Sequence, residues 1–122
     1  MSAGQRIPES PEPLTPAMFH VLLALAGEDL HGYAILKEVE LRTGGKVRLS
    51  TGTLYGIIKR MLADGLIVEL RSRPADSQHD ERRRYYRLTP QGRQAAVAES
   101  ERMDEILSVA RSRNLLKKPK TA

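Results

Sequence analysis

The stretch STGTLYGIIKRMLADGLIVEL, residues 50–70, decides the fold, because it predicts a well-defined helix followed by a short strand. Ser50 is a favourable N-cap residue, whose side-chain oxygen can accept a hydrogen bond from a free amide of the first turn. Apolar residues then recur three or four positions apart and share one side of the helix: Leu54, Ile57, Ile58, Met61 and Leu62. Asp64-Gly65 ends the helix, and residues 66–70 are predicted to form the strand.

A second strand is predicted at residues 84–88, Arg-Tyr-Tyr-Arg-Leu, after a long polar loop at 71–83. Side chains alternate between the two faces of a strand, so we expect one of Tyr85 and Tyr86 in the core and the other exposed. A helix followed by a basic β-ribbon is the outline of a winged helix-turn-helix, which is a fold for holding double-stranded DNA.

The remaining segments complete one small domain, mostly α with a small β-hairpin (α+β). Thr15-Pro16 begins a nearly all-round apolar helix that Gly27 ends, which predicts deep burial, and a second helix covers about residues 31–43. The predicted organisation is a flexible arm at 1–14, a winged-helix DNA-binding domain at 15–88, a C-terminal dimerisation helix at 89–113 and a basic tail at 114–122.

The composition argues against an enzyme, a metal protein or a membrane protein. The chain has no cysteine, which excludes disulfides and thiolate ligands and is typical of the reducing cytoplasm. No apolar run approaches the roughly 20 residues that span a bilayer. His20, His31 and His79 lack metal-site spacing, and no catalytic constellation occurs, so we expect no cofactor. A local hydrogen-bonding or packing role is expected for His31, which opens the second helix.

Positive charge is concentrated in two segments, although the net charge of the chain is only +5. Residues 71–93 contain seven arginines against three acidic residues, and residues 111–122 contain five cations and no acid. Residues 94–110 are acidic by contrast. Such clustering is typical of a surface that binds a polyanion, usually nucleic acid, although basic loops and tails can also serve solubility alone.

The side of the 50–64 helix opposite its apolar stripe is slim and positive. It carries two glycines, which are unfavourable in a helix, together with small and cationic residues: Gly52, Thr53, Tyr55, Gly56, Lys59, Arg60 and Ala63. Such a face suits close approach to the major groove, although an ordinary solvent-exposed face is the alternative. Arg82, Arg83 and Arg84 would contact phosphates from the loop between the strands, as would Arg60 from the helix.

The last helix predicts how the protein assembles. An apolar stripe along it approximates a coiled-coil seam: Ala96, Met103, Ile106, Leu107 and Ala110. The stripe can pack on the chain's own first helix or on a second copy, and we expect its start to cover the domain and its later turns to pair with the copy. A two-fold homodimer would place two recognition helices roughly 34 Å apart, one turn of DNA.

Four motifs together resemble the signature of the PadR family of transcriptional regulators. They are HGYAI at 31–35, LSTGTLY at 49–55, LADGLI at 62–67 and RYYRLTPQG at 84–92. The resemblance, over about residues 17–93, implies a winged helix-turn-helix regulator, usually a repressor, that dimerises through its C-terminal helix and binds palindromic promoter DNA.

What the resemblance implies for single residues is a role for Thr53, Tyr55 and Lys59 in the major groove and for Arg82, Arg83 and Arg84 in the wing. Two departures from the family's pattern are Gly56, where proline is common, and the lack of tryptophan for an aromatic effector clamp. The C-terminal region is short, with one helix and a basic tail, and resembles the subgroup that has a single dimer-forming helix. A small-molecule effector is left unidentified. The alternative interpretation is a winged-helix module that binds another protein without specific DNA binding.

Overall fold

Four helices and a small antiparallel sheet form the part of the chain that the computed structural model describes, residues 14–71 and 84–117. In chain order the elements are α1 (Pro16–Gly27), β1 (Leu30–His31), α2 (Gly32–Arg42), α3 (Thr51–Ala63), β2 (Ile67–Leu70), β3 (Tyr85–Leu88) and α4 (Pro90–Ser112). The predicted mostly helical winged-helix fold is confirmed, and every predicted helix is present. The loop predicted between the two longer strands lies mostly outside the described residues.

Local capping fixes where each helix begins. The hydroxyls of Thr15, Ser50 and Thr89 accept hydrogen bonds from the backbone amides of the third residue of α1, α3 and α4. His31 does the same for α2, where its Nδ1 accepts from the Ala34 amide at 3.2 Å. The local role expected for His31 is therefore confirmed.

The sheet has three strands in the order β1-β3-β2, one more than the hairpin that the sequence predicts. The additional strand, β1, has only two residues, and it pairs Leu30 with Tyr86 and His31 with Tyr85. Two residues are too few to show an alternating pattern in the sequence. Only the pairing with β3 reveals this strand.

The expectation that one tyrosine of the 85–86 pair is exposed was wrong. Tyr86 is 4% exposed and belongs to the hydrophobic core, whereas Tyr85 is 6% exposed on the other face of β3. There the Tyr85 ring meets the His31 ring edge-on, with centroids 5.2 Å apart. Both faces of β3 are therefore covered at this point, one by the core and the other with the help of His31.

The hydrophobic core lies where α1, α3 and the sheet meet. Its largest fully buried side chains come from four different elements, α1, α2, α3 and β2: Leu22, Ile35, Leu54, Met61 and Ile67, with Val21 and Val39. The predicted stripe of α3 faces this core, with Leu54, Ile58 and Met61 buried. The deep burial expected of the whole α1 run holds for most of the helix, but Leu23 and Ala26 are exposed because one side of α1 remains open.

A tight junction fixes the start of α4 against the end of α3. The Thr89 amide and hydroxyl donate to the carbonyl oxygens of Leu66 and Gly65, at 3.0 and 2.7 Å. Gly92 packs so closely that a Cβ atom there would lie 2.0 Å from the Leu66 carbonyl oxygen. The LADGLI and RYYRLTPQG motifs therefore meet at this junction, which sets the direction in which α4 leaves the domain.

Two arginines tie neighbouring elements together at the surface. Arg42 makes a bidentate ion pair with Glu38 in α2 and also donates to the backbone oxygen of His20 in α1, at 3.1 Å. The hydrogen bond to Glu38 raises the pKa of Arg42. Arg87 of β3 makes a second bidentate pair with Asp29, at 3.1 and 2.8 Å. These contacts hold α2 and β3 in place relative to α1.

None of the described helices combines the length and the apolar character needed to cross a membrane. Within the same residues, histidine, aspartate and glutamate side chains form no group of three that could hold a metal ion.

Candidate nucleic-acid interface

The outward face of α3 is open and lacks side chains at its centre. Gly52 and Gly56 lie one turn apart on this face, and a Cβ atom built at either position would meet no atom within 4 Å. The chain's own packing therefore does not require glycine at these positions. In a helix interior each glycine costs roughly 0.5–1 kcal/mol relative to alanine. Something other than the internal packing of the described residues must account for the two glycines.

Thr53 lies at the edge of this open face, in the first turn of α3. Its hydroxyl oxygen accepts a hydrogen bond from the Ser50 hydroxyl at 2.9 Å, while its amide donates to the same Ser50 oxygen at 3.0 Å. The Thr53 hydroxyl still carries one proton of its own. The N-cap thus orients Thr53, and its hydroxyl can donate to a group outside the chain.

Tyr55 lies on the opposite edge of the face and reaches the beginning of α2. The side chain is 46% exposed, and its hydroxyl lies over Gly32. A Cβ atom at Gly32 would be 2.2 Å from Tyr55 Oη, so only glycine leaves room for this arrangement. Gly32 is therefore a positioning residue that the sequence analysis missed. The available signal was the joint occurrence of the HGYAI and LSTGTLY motifs.

The two cations of α3 differ in their surroundings. Lys59 is exposed and has no ion pair among the described residues. Arg60 lies 3.6 Å from the Asp64 carboxylate, and both side chains are about half exposed. Lys59 thus presents a positive charge that no described carboxylate compensates beside Gly56, whereas the charge of Arg60 is partly compensated.

Of the three wing arginines, the structure describes only Arg84. It lies at the start of β3 and pairs with Glu69 of β2 across the sheet, with Nη1 and Oε2 3.1 Å apart. Burial raises the pKa of the neighbouring Tyr86, and the negative charge of Glu69 adds to this effect. Arg82 and Arg83 lie outside the described residues, so their assignment to the wing stays a prediction.

Of the five predicted interface residues of α4, some pack against the chain's own core and others are exposed. Ala96 is only 8% exposed and packs in the chain's own core, so its place in a dimer interface needs correction. Met103 is half-buried against the same core. Ile106 and Leu107 are 53% and 42% exposed, and Ala110 is half-buried. The helix contacts α1 and β3 near its start, which leaves its last turns uncovered.

A family model described as the transcriptional regulator PadR-like family matches residues 21–98, well over half of the chain. The chain belongs to the PadR family. The transcriptional regulator Rv3488 of Mycobacterium tuberculosis is 37% identical over 87 residues, which cover 71% of this chain and 75% of that protein.

Solved structures show the same fold. A PadR family transcription regulator from Clostridium difficile is 27% identical, with a TM-score of 0.66 over 78% of this chain and 94% of that one. A transcriptional regulator from Clostridium thermocellum has the same TM-score at 25% identity and covers 78% of this chain and 86% of its own. The resemblance stated from the motifs is therefore confirmed, and this PadR family member is a transcriptional regulator.

Proposed function

We propose that this PadR family regulator binds a palindromic promoter site in double-stranded DNA as a homodimer and represses transcription. The observation that carries the proposal is the open face of α3, where Gly52 and Gly56 keep the helix slim without serving the chain's own packing. Recognition helices contact base edges mostly through their first turns, and these glycines and Thr53 lie there.

The residues around the glycines supply complementary chemistry. Lys59 adds a free positive charge, and the Thr53 hydroxyl can donate to a base or a phosphate. Tyr55 would line the edge of the contact while resting on Gly32. Arg60 and Arg84 already have carboxylate neighbours, so each would exchange part of an internal pair for a phosphate. Arg82 and Arg83 are assigned to phosphates on sequence grounds alone.

The homodimer is supported by the exposed end of α4. Ile106 and Leu107 are apolar, on the same side of the helix, and uncovered by the chain's own domain. An apolar surface of this kind favours an interaction partner. A two-fold pair of chains would present two α3 helices to successive half-sites, which is the reason for expecting a palindrome. The repressor role and the cytoplasmic location rest on the resemblance and the composition.

The decisive experiment measures binding to duplexes from the region upstream of the protein's own gene by fluorescence anisotropy at several salt concentrations. Lys59→Ala should weaken binding to the recognised duplex about tenfold, and a scrambled duplex of equal length much less. Lys117→Ala, which removes an exposed cation of the basic segment beyond the end of α4, is the comparison variant and should change the affinities for the two duplexes by the same factor.

Two results would contradict the proposal. Equal losses on both duplexes would show that α3 contributes only non-specific contacts. If the wild-type protein shows no salt-dependent DNA affinity in the micromolar range, the alternative of a protein-binding winged-helix module becomes the better interpretation.

A further inference from the structure

We propose that two copies of α4 pair antiparallel, in a register fixed by reciprocal ion pairs between Asp104 of each copy and Arg111 of the other. The inference rests on the proposed homodimer and adds to it the orientation, the register and the residues that select the partner. Asp104 and Arg111 are charged residues of α4 that lie beside the exposed apolar strip near the end of the helix.

The two charged residues lie on the same flank of the helix. They are seven residues apart, which is close to two full turns, so their side chains project in nearly the same direction about 10 Å apart along the axis. Leu107 lies between them on the adjoining strip, one turn from each. One edge of the exposed apolar strip therefore carries the Asp104 carboxylate and, two turns further along the helix, the Arg111 guanidinium.

Neither charge is used within the described part of the chain. Asp104 is exposed and has no hydrogen bond or ion pair there. The Nε atom of Arg111 is shielded from solvent and finds no acceptor among the same residues. A buried donor without a partner is unfavourable. The guanidinium of this half-buried side chain thus has no carboxylate partner among the described residues, and a carboxylate of a second copy would compensate its charge.

Symmetry decides which orientation uses both charges. When two identical helices pair antiparallel about a two-fold axis, each flank faces the same flank of the other copy. When they pair parallel, each flank faces the opposite flank, which in α4 carries Arg102 and Arg113. Arg102 is already paired with the buried Glu99. A parallel pair would thus bring Arg111 towards another arginine, whereas an antiparallel pair brings it towards Asp104.

The length of α4 that the chain's own core leaves uncovered independently indicates the register that pairs Asp104 with Arg111. Met103 is the last α4 residue that packs against the chain's own core, and Ser112 is the last helical residue. The chain then reverses at Asn114, whose φ is 64°, and the Leu115 amide donates to the Ala110 carbonyl. Residues 103–112 are thus the helix left for a partner, about 15 Å long.

If two such segments overlap fully and antiparallel, their midpoint lies between Leu107 and Ser108. Residues then face each other at positions symmetric about this midpoint, so Asp104 faces Arg111 of the second copy and Arg111 faces its Asp104. Two ion pairs would flank a centre made by the two Leu107 side chains. The charge pattern and the length of free helix therefore give one and the same register.

The test reverses single charges in the full chain and measures the dissociation constant of the dimer by sedimentation. Asp104→Arg and Arg111→Asp should each raise that constant about tenfold or more, because each places like charges face to face. The double variant D104R/R111D should return to within about threefold of wild type. Glu105→Arg is the matched control, since it makes the same charge change about 200° around the helix from Leu107, away from the apolar strip, and should leave the constant unchanged.

A mixing experiment checks the reciprocal pairing. D104R and R111D chains mixed together should form the heterodimer in preference to either homodimer, because both facing pairs then have opposite charge; native mass spectrometry measures the distribution. A statistical mixture, or single variants that dimerise as tightly as wild type, would overturn the register while leaving the homodimer intact. A wild-type chain that remains monomeric at tens of micromolar would overturn both. Circular dichroism of each variant checks that the helix content is unchanged.

Discussion

Gly56 shows at the scale of one residue how stability and function can oppose each other. Gly56→Ala should stabilise the folded chain by roughly 0.5–1 kcal/mol, because alanine is the better helix residue and its Cβ meets no atom within 4 Å. The same methyl group should hinder approach to DNA and weaken binding about tenfold. Chemical denaturation and anisotropy titrations measure the two effects. A variant that is more stable and binds DNA as tightly as wild type would show that the open face is not the contact surface.

Gly32 illustrates a second single-residue effect, transmitted through Tyr55. Gly32→Ala should displace the Tyr55 ring and lower DNA affinity, with a stability change under about 1 kcal/mol, because the obstructing atom belongs to a half-exposed side chain that can swing away. Tyr55→Ala should cause a similar loss.

The two losses should not add when the substitutions are combined, since both act on the position of one ring. Gly27→Ala is the matched control, because nothing lies within 4 Å of a Cβ atom there and α1 ends at this residue. Additive losses in the double variant would mean that Gly32 and Tyr55 act independently.

Within the element α4, the Glu99–Arg102 pair predicts how stability depends on pH. Hydrogen bonds from Arg102 lower the pKa of the Glu99 carboxyl, and burial opposes this only in part. A carboxyl with a lower pKa in the folded state stabilises the fold above its unfolded pKa and loses that contribution as the pH falls through the folded value. The unfolding free energy should therefore decrease below about pH 4.5, partly because of this residue.

Glu99→Gln should make that decrease shallower, as measured by denaturation at several values between about pH 7 and pH 3. Glu105→Gln serves as the control, since the Glu105 side chain is exposed and has no ion pair within the described residues. If the two variants have the same pH dependence, the pair does not contribute to acid sensitivity.

At the scale of the whole molecule, the exposed end of α4 should control assembly and, through it, DNA affinity. Leu107→Asp should dissociate the homodimer and reduce affinity for the palindromic site about tenfold or more, because each half-site is then bound separately. Val109→Asp is a close control, as Val109 is 48% exposed but points about 200° away around the helix. Light scattering gives the mass of each variant. Equal effects of the two substitutions would contradict a specific α4 interface.

Local chemistry made much of this fold predictable. The caps at Thr15, Ser50 and Thr89 act on amides a few residues away, so the sequence alone located the starts of three helices. The apolar stripe of α3 was equally visible, because periodicity is a property of neighbouring residues. The same features, ordered along the chain, were sufficient to indicate the family and the face of α3 that carries Gly52 and Gly56.

The tertiary structure decided what depends on contacts between distant parts of the chain. The pairing of β1 with β3 placed Tyr85 opposite His31, and only the meeting of α2 with α3 showed that Gly32 leaves room for the Tyr55 ring. Likewise, α4 is one continuous stripe in the sequence, but the packing of α1 covers Ala96 and leaves Leu107 open. A periodic pattern tells which side of a helix is apolar, whereas only the packed structure tells how far along the helix that side is already covered.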